Sequence, residues 1–582
     1  MFRAVISAAL ALAAAASAQT VFFPLKDLKP GMRGVGRTVF SGDRIEEFQV
    51  EILGILENIG PKQSLILGRL SGGPLEKTGV LQGMSGSPVY IDGKLAGAVA
   101  MAFPFAKEPI AGIRPIEDMI RVSEASTEPV RRAAVSLHDR DLTRWLPKPQ
   151  EALAGDMKLI DIATPVSFGG FTHATIEQFA PQLRALGLEP RQGISSGGRV
   201  APRMGAKSAL QPGSMISVQL MTGDLNMGAD GTVTHIDGDN IYAFGHRFLA
   251  VGPTDLPFAR SEVMTLLPNL MASFKISSAK EWMGTISQDR NTAVAGVLGR
   301  RANMAPVSIA VARAGRKVDS YEMQMVNDRF LAPFLVQLAL FSAIDSTERS
   351  VGAATIAVRG QIEFQGSASP LKFDNMYAGD ANTAMQVSLS TAIPLAYVLQ
   401  SGFSSLELKK IALEIDSFPQ KKQLQIDQVV ASPQEVRAGE KVHLTAIFAG
   451  DDGAEVTRTI DYTVPIGAPA GPLFFTVADG NITNVSEYRQ IIGSSPRSAE
   501  QLVSNVNKLR ANTKAYVRVW RSEPNFQIGG DDFPDPPASL ALILTSSQTG
   551  MQTRNAKVAE LEIGGTDAVI SGMKTVQVEV KE

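Results

Sequence analysis

The chain has 582 residues, a length that suits about four domains of ordinary size. Its 56 basic and 58 acidic side chains are well mixed and leave a net charge of −2, without the basic excess of a nucleic-acid binder. With no cysteine, neither thiol catalysis, a thiolate metal site nor a disulfide is open to it.

Residues 1–18, "MFRAVISAALALAAAASA", place Arg3 before an apolar run that ends in Ala16-Ser17-Ala18. This is the pattern of a secretory signal peptide cut near Gln19; the run is too short and alanine-rich for a stable membrane span. Export would leave a protein that holds together by packing alone. From about 20 to 105 the chain alternates in the strand manner, and Asp92-Gly93 between two apolar runs predicts a tight hairpin. A short helix is expected from Pro115, then a polar linker over 122–160. A helix over 174–186 contains Pro181 and ends at Gly187. Residues 189–214 read as a flexible loop. A second β region over about 215–315 includes two strands around the turn Asp237-Gly238-Asp239-Asn240. "FLAPFLVQLALFSAI" (330–344) reads as a buried helix, and 350–425 as further strands. From 426 short alternating strands suggest an immunoglobulin-like sandwich. A helix over about 498–511 interrupts it, with Ser498 and Gln501 as a capping box.

"GMRGVGRT" (31–38) differs from a phosphate-binding loop by Arg37 in place of lysine, and a strand follows it rather than a helix, so no helix N-terminus faces a phosphate. More informative is "GVLQGMSGSPVYIDGKLAGAVA" (79–100). Ser85 sits between glycines that let a turn curl around its hydroxyl. In acyl transfer the N–H groups of Gly83 and Ser85 would then face the developing oxyanion. G-x-S-G-x-P leading into a hairpin is the pattern of trypsin-like double-barrel proteases; a glycine-serine β-turn without chemistry fits the same residues. A serine nucleophile needs a base. Of five histidines, His138 lies in the polar linker, His173 before a helix, His235 in mid-strand and His443 in the C-terminal sandwich. His246 ends a strand after a glycine, the best place to present an imidazole to a cleft, although a lone histidine is more often structural.

Three stretches resemble the SpoIVB-type serine peptidases, the family of the sporulation signalling protease. "TGVLQGMSGSPVYIDGKLAGAV" is similar to the family's serine motif, "GADGTVTHIDGDNIYAFGHRF" to its histidine motif, and "GTISQDRNTAVAGVLG" to a later glycine-rich strand pair. The resemblance implies Ser85 as nucleophile, His246 as base and a protein or peptide substrate, with no metal or cofactor. Two departures stand out. The serine half precedes the histidine half, an exchanged order. The family's aspartate falls about fifteen residues before the serine, where this chain has Leu70. Asp289 is the candidate acid, with Asp224 and Asp255 as alternatives. No segment reads as the family's peptide-binding PDZ domain.

The expected architecture is therefore mostly β. It comprises a signal peptide (1–18), a serine half-barrel (19–121), a linker (122–160), a histidine half-barrel (161–345), a β region (346–425) and an immunoglobulin-like region (426–582). The expected function is a secreted serine endopeptidase with no membrane span after signal cleavage. A catalytically weak or inactive peptidase-like binding protein of the envelope is the alternative, fed by the unmatched acid. A lipase or esterase fits poorly because no G-x-S-x-G elbow lies in a βα pattern.

Overall fold

The computed structural model of the chain describes residues 20–122, 135–137, 139–144, 146–149, 151–154, 157–193, 200–347, 351–366, 369–451, 453–486, 496–528, 531–534, 536–546 and 550–582. The proposed signal peptide and His138 lie outside them. Strands dominate.

The first strands are β1 (Arg33–Ser41), β2 (Arg44–Gly60), β3 (Gln63–Ser71), β4 (Pro88–Ile91), β5 (Lys94–Ala102) and β6 (Ile110–Pro115). They pair antiparallel in the ring β1-β2-β3-β6-β5-β4, and β4 returns to β1 to close it. Closure removes the sheet edges and lets inward side chains such as Phe48, Val50, Ile66, Val89 and Ile113 fill the interior. The expected hairpin turn stands between β4 and β5: Asp92 and Gly93 have φ of 48° and 72°, the positive values that a two-residue hairpin loop requires. The glycines of "GMRGVGRT" have a packing role. A Cβ on Gly34 would stand 2.2 Å from the Tyr90 carbonyl oxygen, and one on Gly36 would enter the Phe48 ring.

The segment 122–160 is not simply a linker. Its end forms a hairpin of β7 (Glu151–Ala154) and β8 (Met157–Asp161), and β8 pairs with β5 at Met101 and Ala102. β9 (Thr164–Gly169), the helix His173–Ala185 and β10 (Leu188–Gln192) follow, with β10 running parallel to β9. Residues 189–214, expected as loop, thus contain part of β10 and also β11 (Ala201–Met204), parallel to a strand of the next barrel.

That barrel uses β12 (Met215–Gly223), β13 (Asn226–Asp237), β14 (Asn240–Ala243), β15 (Gly252–Leu267), β16 (Phe274–Arg290) and β17 (Ala293–Leu298). The antiparallel ring β12-β13-β14-β17-β16-β15 closes on itself. The two barrels touch. Gly42 and Val263 exchange backbone hydrogen bonds of 2.7 Å, and the turn 79–87 docks on β13.

Residues 346–425 are not a separate layer. After β18 (Met304–Arg313) and β19 (Arg316–Val326), the strands β20 (Val351–Gln365), β21 (Leu371–Ala381) and β22 (Glu407–Phe418) extend the second barrel's sheet through β22 beside β18. The buried helix Leu331–Asp345 packs against a second helix, Thr383–Leu399, within the same core. No helix among the described residues is long and apolar enough to cross a membrane. From 423 onward a four-stranded and a six-stranded sheet enclose a core that includes Ile426, Leu444, Phe448, Phe475, Val517 and Val578. The helix Ala499–Val506 is capped by Ser498, whose hydroxyl accepts from Gln501 N at 3.1 Å; the Gln501 side chain accepts in return from Arg497 N, one residue before the cap.

Candidate active site

The serine turn is built by two left-handed glycines, Gly83 (φ 90°) and Gly86 (φ 92°), and closed by the Ser87 hydroxyl, which donates to the Met84 carbonyl at 2.6 Å. β13 of the other barrel holds it. Thr232 N–H donates to the Ser85 carbonyl (2.9 Å), the Thr232 hydroxyl to the Gly83 carbonyl (3.0 Å) and the Thr234 hydroxyl to the Gly86 carbonyl (2.6 Å). Among the described residues the N–H groups of Gly83 and Ser85 reach no protein acceptor, whereas their neighbours Gln82, Met84 and Gly86 all do.

The fit at Gly86 is close. A Cβ there would lie 2.1 Å from the Thr232 carbonyl oxygen and 2.5 Å from Phe244 N. Neither contact is a flexible side chain that could yield. Gly86→Ala is expected to push the turn off β13 and cost about 1–3 kcal/mol or more through overpacking and strain. Thermal unfolding measures the effect; unchanged stability would refute the docking described.

His246 lies on the loop between β14 and β15. This loop starts at Phe244 (φ 72°) and Gly245 (φ 69°), the latter packed against Ala98, Val99 and Ala100 of the serine barrel. The serine turn leans on the same strand, since Gly86 N–H donates to the Val99 carbonyl at 2.7 Å. Ser85 and His246 therefore sit on adjoining loops at the barrel junction, both buried, at 0% and 2% exposure. No hydrogen bond joins them: the Ser85 Oγ and the His246 Nε2 are each buried without a partner.

The other imidazole nitrogen fixes the tautomer. His246 Nδ1 lies 2.6 Å from the Arg247 carbonyl oxygen. A carbonyl only accepts, so Nδ1 carries the proton and neutral His246 presents a lone pair on Nε2. Burial pulls its pKa below the ordinary 6.5, opposed first by the charge of Asp161.

Asp289 does not bond the imidazole as expected. Its Oδ1 accepts from Phe248 N (2.8 Å) and its Oδ2 from Leu249 N (2.7 Å) and Val251 N (3.3 Å). It shapes the histidine loop through the backbone. Burial pushes its carboxyl up to about 6, while those donors and Arg247 pull the other way. The alternatives lie elsewhere: Asp224 accepts from Glu322 N, and Asp255 pairs with Arg300 and Asn303 N. The carboxylate whose charge acts on His246 is Asp161, buried at the end of β8, which also acts on Arg114 and Arg247. Fully buried Arg114 on β6 ties the histidine loop to the first barrel, with Nε on the Gly245 carbonyl and Nη1 on the Gln63 side chain at the start of β3, both at 3.4 Å.

Of the other described histidines, His173 pairs with Glu177 and His443 with Asp461, both exposed, and His235 stacks on Tyr242. No cluster of three or more metal-ligating side chains occurs among the described residues. A cavity of about 580 Å³ between Val200–Met204 and β18–β19 includes none of the site residues. A cleft of about 350 Å³, lined by Gln63, Ala250, Asp289 and Arg290 among others, opens beside the histidine loop.

Two closed six-stranded barrels thus meet with a glycine-framed serine on one and a histidine on the other at their junction. Residues 24–120 match the family model of the SpoIVB peptidases, S55. The match covers the serine barrel and Ser85; His246 lies beyond it. No curated protein and no solved structure matches the chain.

Proposed function

We propose that the chain is an exported serine endopeptidase of the SpoIVB type that cleaves a protein or peptide through an acyl-enzyme on Ser85. The observation that carries the reading is that two buried, unpartnered atoms, Ser85 Oγ and His246 Nε2, lie on loops held against one strand. His246 takes the Ser85 proton on Nε2 as the hydroxyl attacks the scissile carbonyl, then returns it to the leaving amine. The Arg247 carbonyl does the orienting that a carboxylate does in the usual triad. Asp161 stabilises the imidazolium through its charge, in place of the aspartate that Leu70 displaces. The free N–H groups of Gly83 and Ser85 receive the oxyanion. A peptide can reach Ser85 only after the loops part.

The binding-protein alternative draws on the same burial: a serine sealed at 0% exposure suits a scaffold without turnover. A small fluorophosphonate separates the two. The peptidase reading expects a mass increase on the peptide bearing Ser85 and none elsewhere; an unlabelled, folded protein would favour the scaffold.

The pH profile gives a second check. Protonated His246 cannot accept the serine proton, so kcat/KM falls as pH drops through its pKa. Because burial lowers that pKa, the acid midpoint is expected below 6.5. A midpoint above 6.5 would mean that another group is the base.

A further inference from the structure

Lys275, on β16, is fully buried although it carries an ammonium group, and nothing in the proposed reaction uses it. Its surroundings lead to the serine turn. Lys275 N–H donates to the Gln82 carbonyl (3.2 Å), and Gln82 N–H to the Ser273 carbonyl (2.9 Å), so the residue before Gly83 is tied to β16. The Lys275 stem lies directly under Gly83, with Cβ and Cδ each 3.5 Å from the place a Gly83 Cβ would take. Beyond the stem, Nζ crosses to the serine barrel and donates to the Thr38 hydroxyl on β1 at 2.7 Å. The charge facing it is Asp230 on β13, itself fully buried and accepting from the Ser277 hydroxyl at 2.5 Å.

We propose that Lys275 is a positioning residue for the Ser85 turn, its side chain bridging the two barrels and fixing Gly83 at the height where its N–H meets the oxyanion. The inference rests on the nucleophile reading of Ser85 and deepens it. Burying opposite charges is a poor way to stabilise a fold, since desolvating them offsets their attraction, and apolar replacements of similar size often match or exceed it in stability. Lys275 and Asp230 are two such desolvated charges, attracting without an ion-pair contact: burial pulls Lys275 down to about 7 and pushes Asp230 up to about 6. What the arrangement supplies beyond stability is placement, and about 1 Å of displacement at a reacting centre costs roughly 10²-fold in rate.

The test is the double variant Lys275→Met/Asp230→Asn, which removes both charges at nearly constant volume, beside Thr38→Val, which removes only the far anchor of Nζ. Phosphonylation rate, kcat and KM are measured with thermal unfolding. For the double variant the expected result is a melting temperature at or above that of the parent chain, kcat and phosphonylation lower by roughly 10²-fold, and KM within about twofold. Thr38→Val moves in the same direction by a smaller factor, and serves alone if the double variant does not fold. Parent-like rates in a folded variant overturn the proposal. So does complete loss of labelling in the folded double variant, which would make the lysine itself the base. Ser85→Ala separates the two levels: labelling that survives it refutes the nucleophile, whatever Lys275 does.

Discussion

Ser85→Ala is expected to abolish peptide hydrolysis and phosphonylation, and His246→Ala to reduce both to nearly the same floor. The double variant should be hardly worse than either single one. A nucleophile without its base and a base without its nucleophile fail at the same step, so their effects do not add; in a well-studied serine protease the loss is roughly 10⁶-fold in kcat. The substitutions also differ in what they leave behind. Ser85→Ala removes a hydroxyl that has no hydrogen-bond partner, so no donor or acceptor is orphaned and the melting temperature should hold. His246→Ala vacates a fully packed position beside Phe244 and strands the Arg247 carbonyl, so it should cost some stability as well as activity. Steady-state rates with a purified, folded protein decide the matter. Full activity in Ser85→Ala would move the nucleophile elsewhere. Losses that multiply in the double variant would mean that the two residues act at separate steps.

The legible parts of the molecule were those with local causes. The Asp92-Gly93 hairpin follows from two residues that accept positive φ, and the serine turn from glycines at 83 and 86 whose Cβ atoms would strain or collide. His246 stood out because few histidines exist to choose from. What escaped depends on distant pairing. Asp161 ends a short strand that has no sheet of its own; only its pairing with β5 brings it to the barrel junction, and the polar composition upstream disguised it as linker. The helix Thr383–Leu399 was hidden for the opposite reason. It contains no charged residue and has a proline at 394, and it packs against the equally apolar helix Leu331–Asp345, so it lacks the polar stripe by which a surface helix declares itself. Asp289 shows the same limit: it is buried beside the histidine loop but is spent on backbone N–H groups.

That difference between Asp161 and Asp289 yields the second large effect. Asp289→Asn is expected to destabilise the protein and to inactivate it through the loop. Three backbone N–H groups converge on the carboxylate, and an amide offers one oxygen and turns an NH₂ toward donors. Each buried donor left unsatisfied costs about 1–3 kcal/mol, and a relaxed loop no longer holds His246 in place. Asp161→Asn should behave differently. Orientation of the imidazole rests with the Arg247 carbonyl, which the substitution leaves in place. What is lost is a negative charge that favours the imidazolium, so the acid limb of kcat/KM should shift to still lower pH and kcat should fall by roughly 10–10²-fold. Where a carboxylate bonds the imidazole directly, the same substitution costs about 10⁴. Melting temperatures and pH–rate profiles of the two variants separate the roles. A loss near 10⁴ in Asp161→Asn, with the fold intact, would show that Asp161 turns in to hold His246 directly when substrate binds. An Asp289→Asn protein that melts and turns over like its parent would remove Asp289 from the account of the loop.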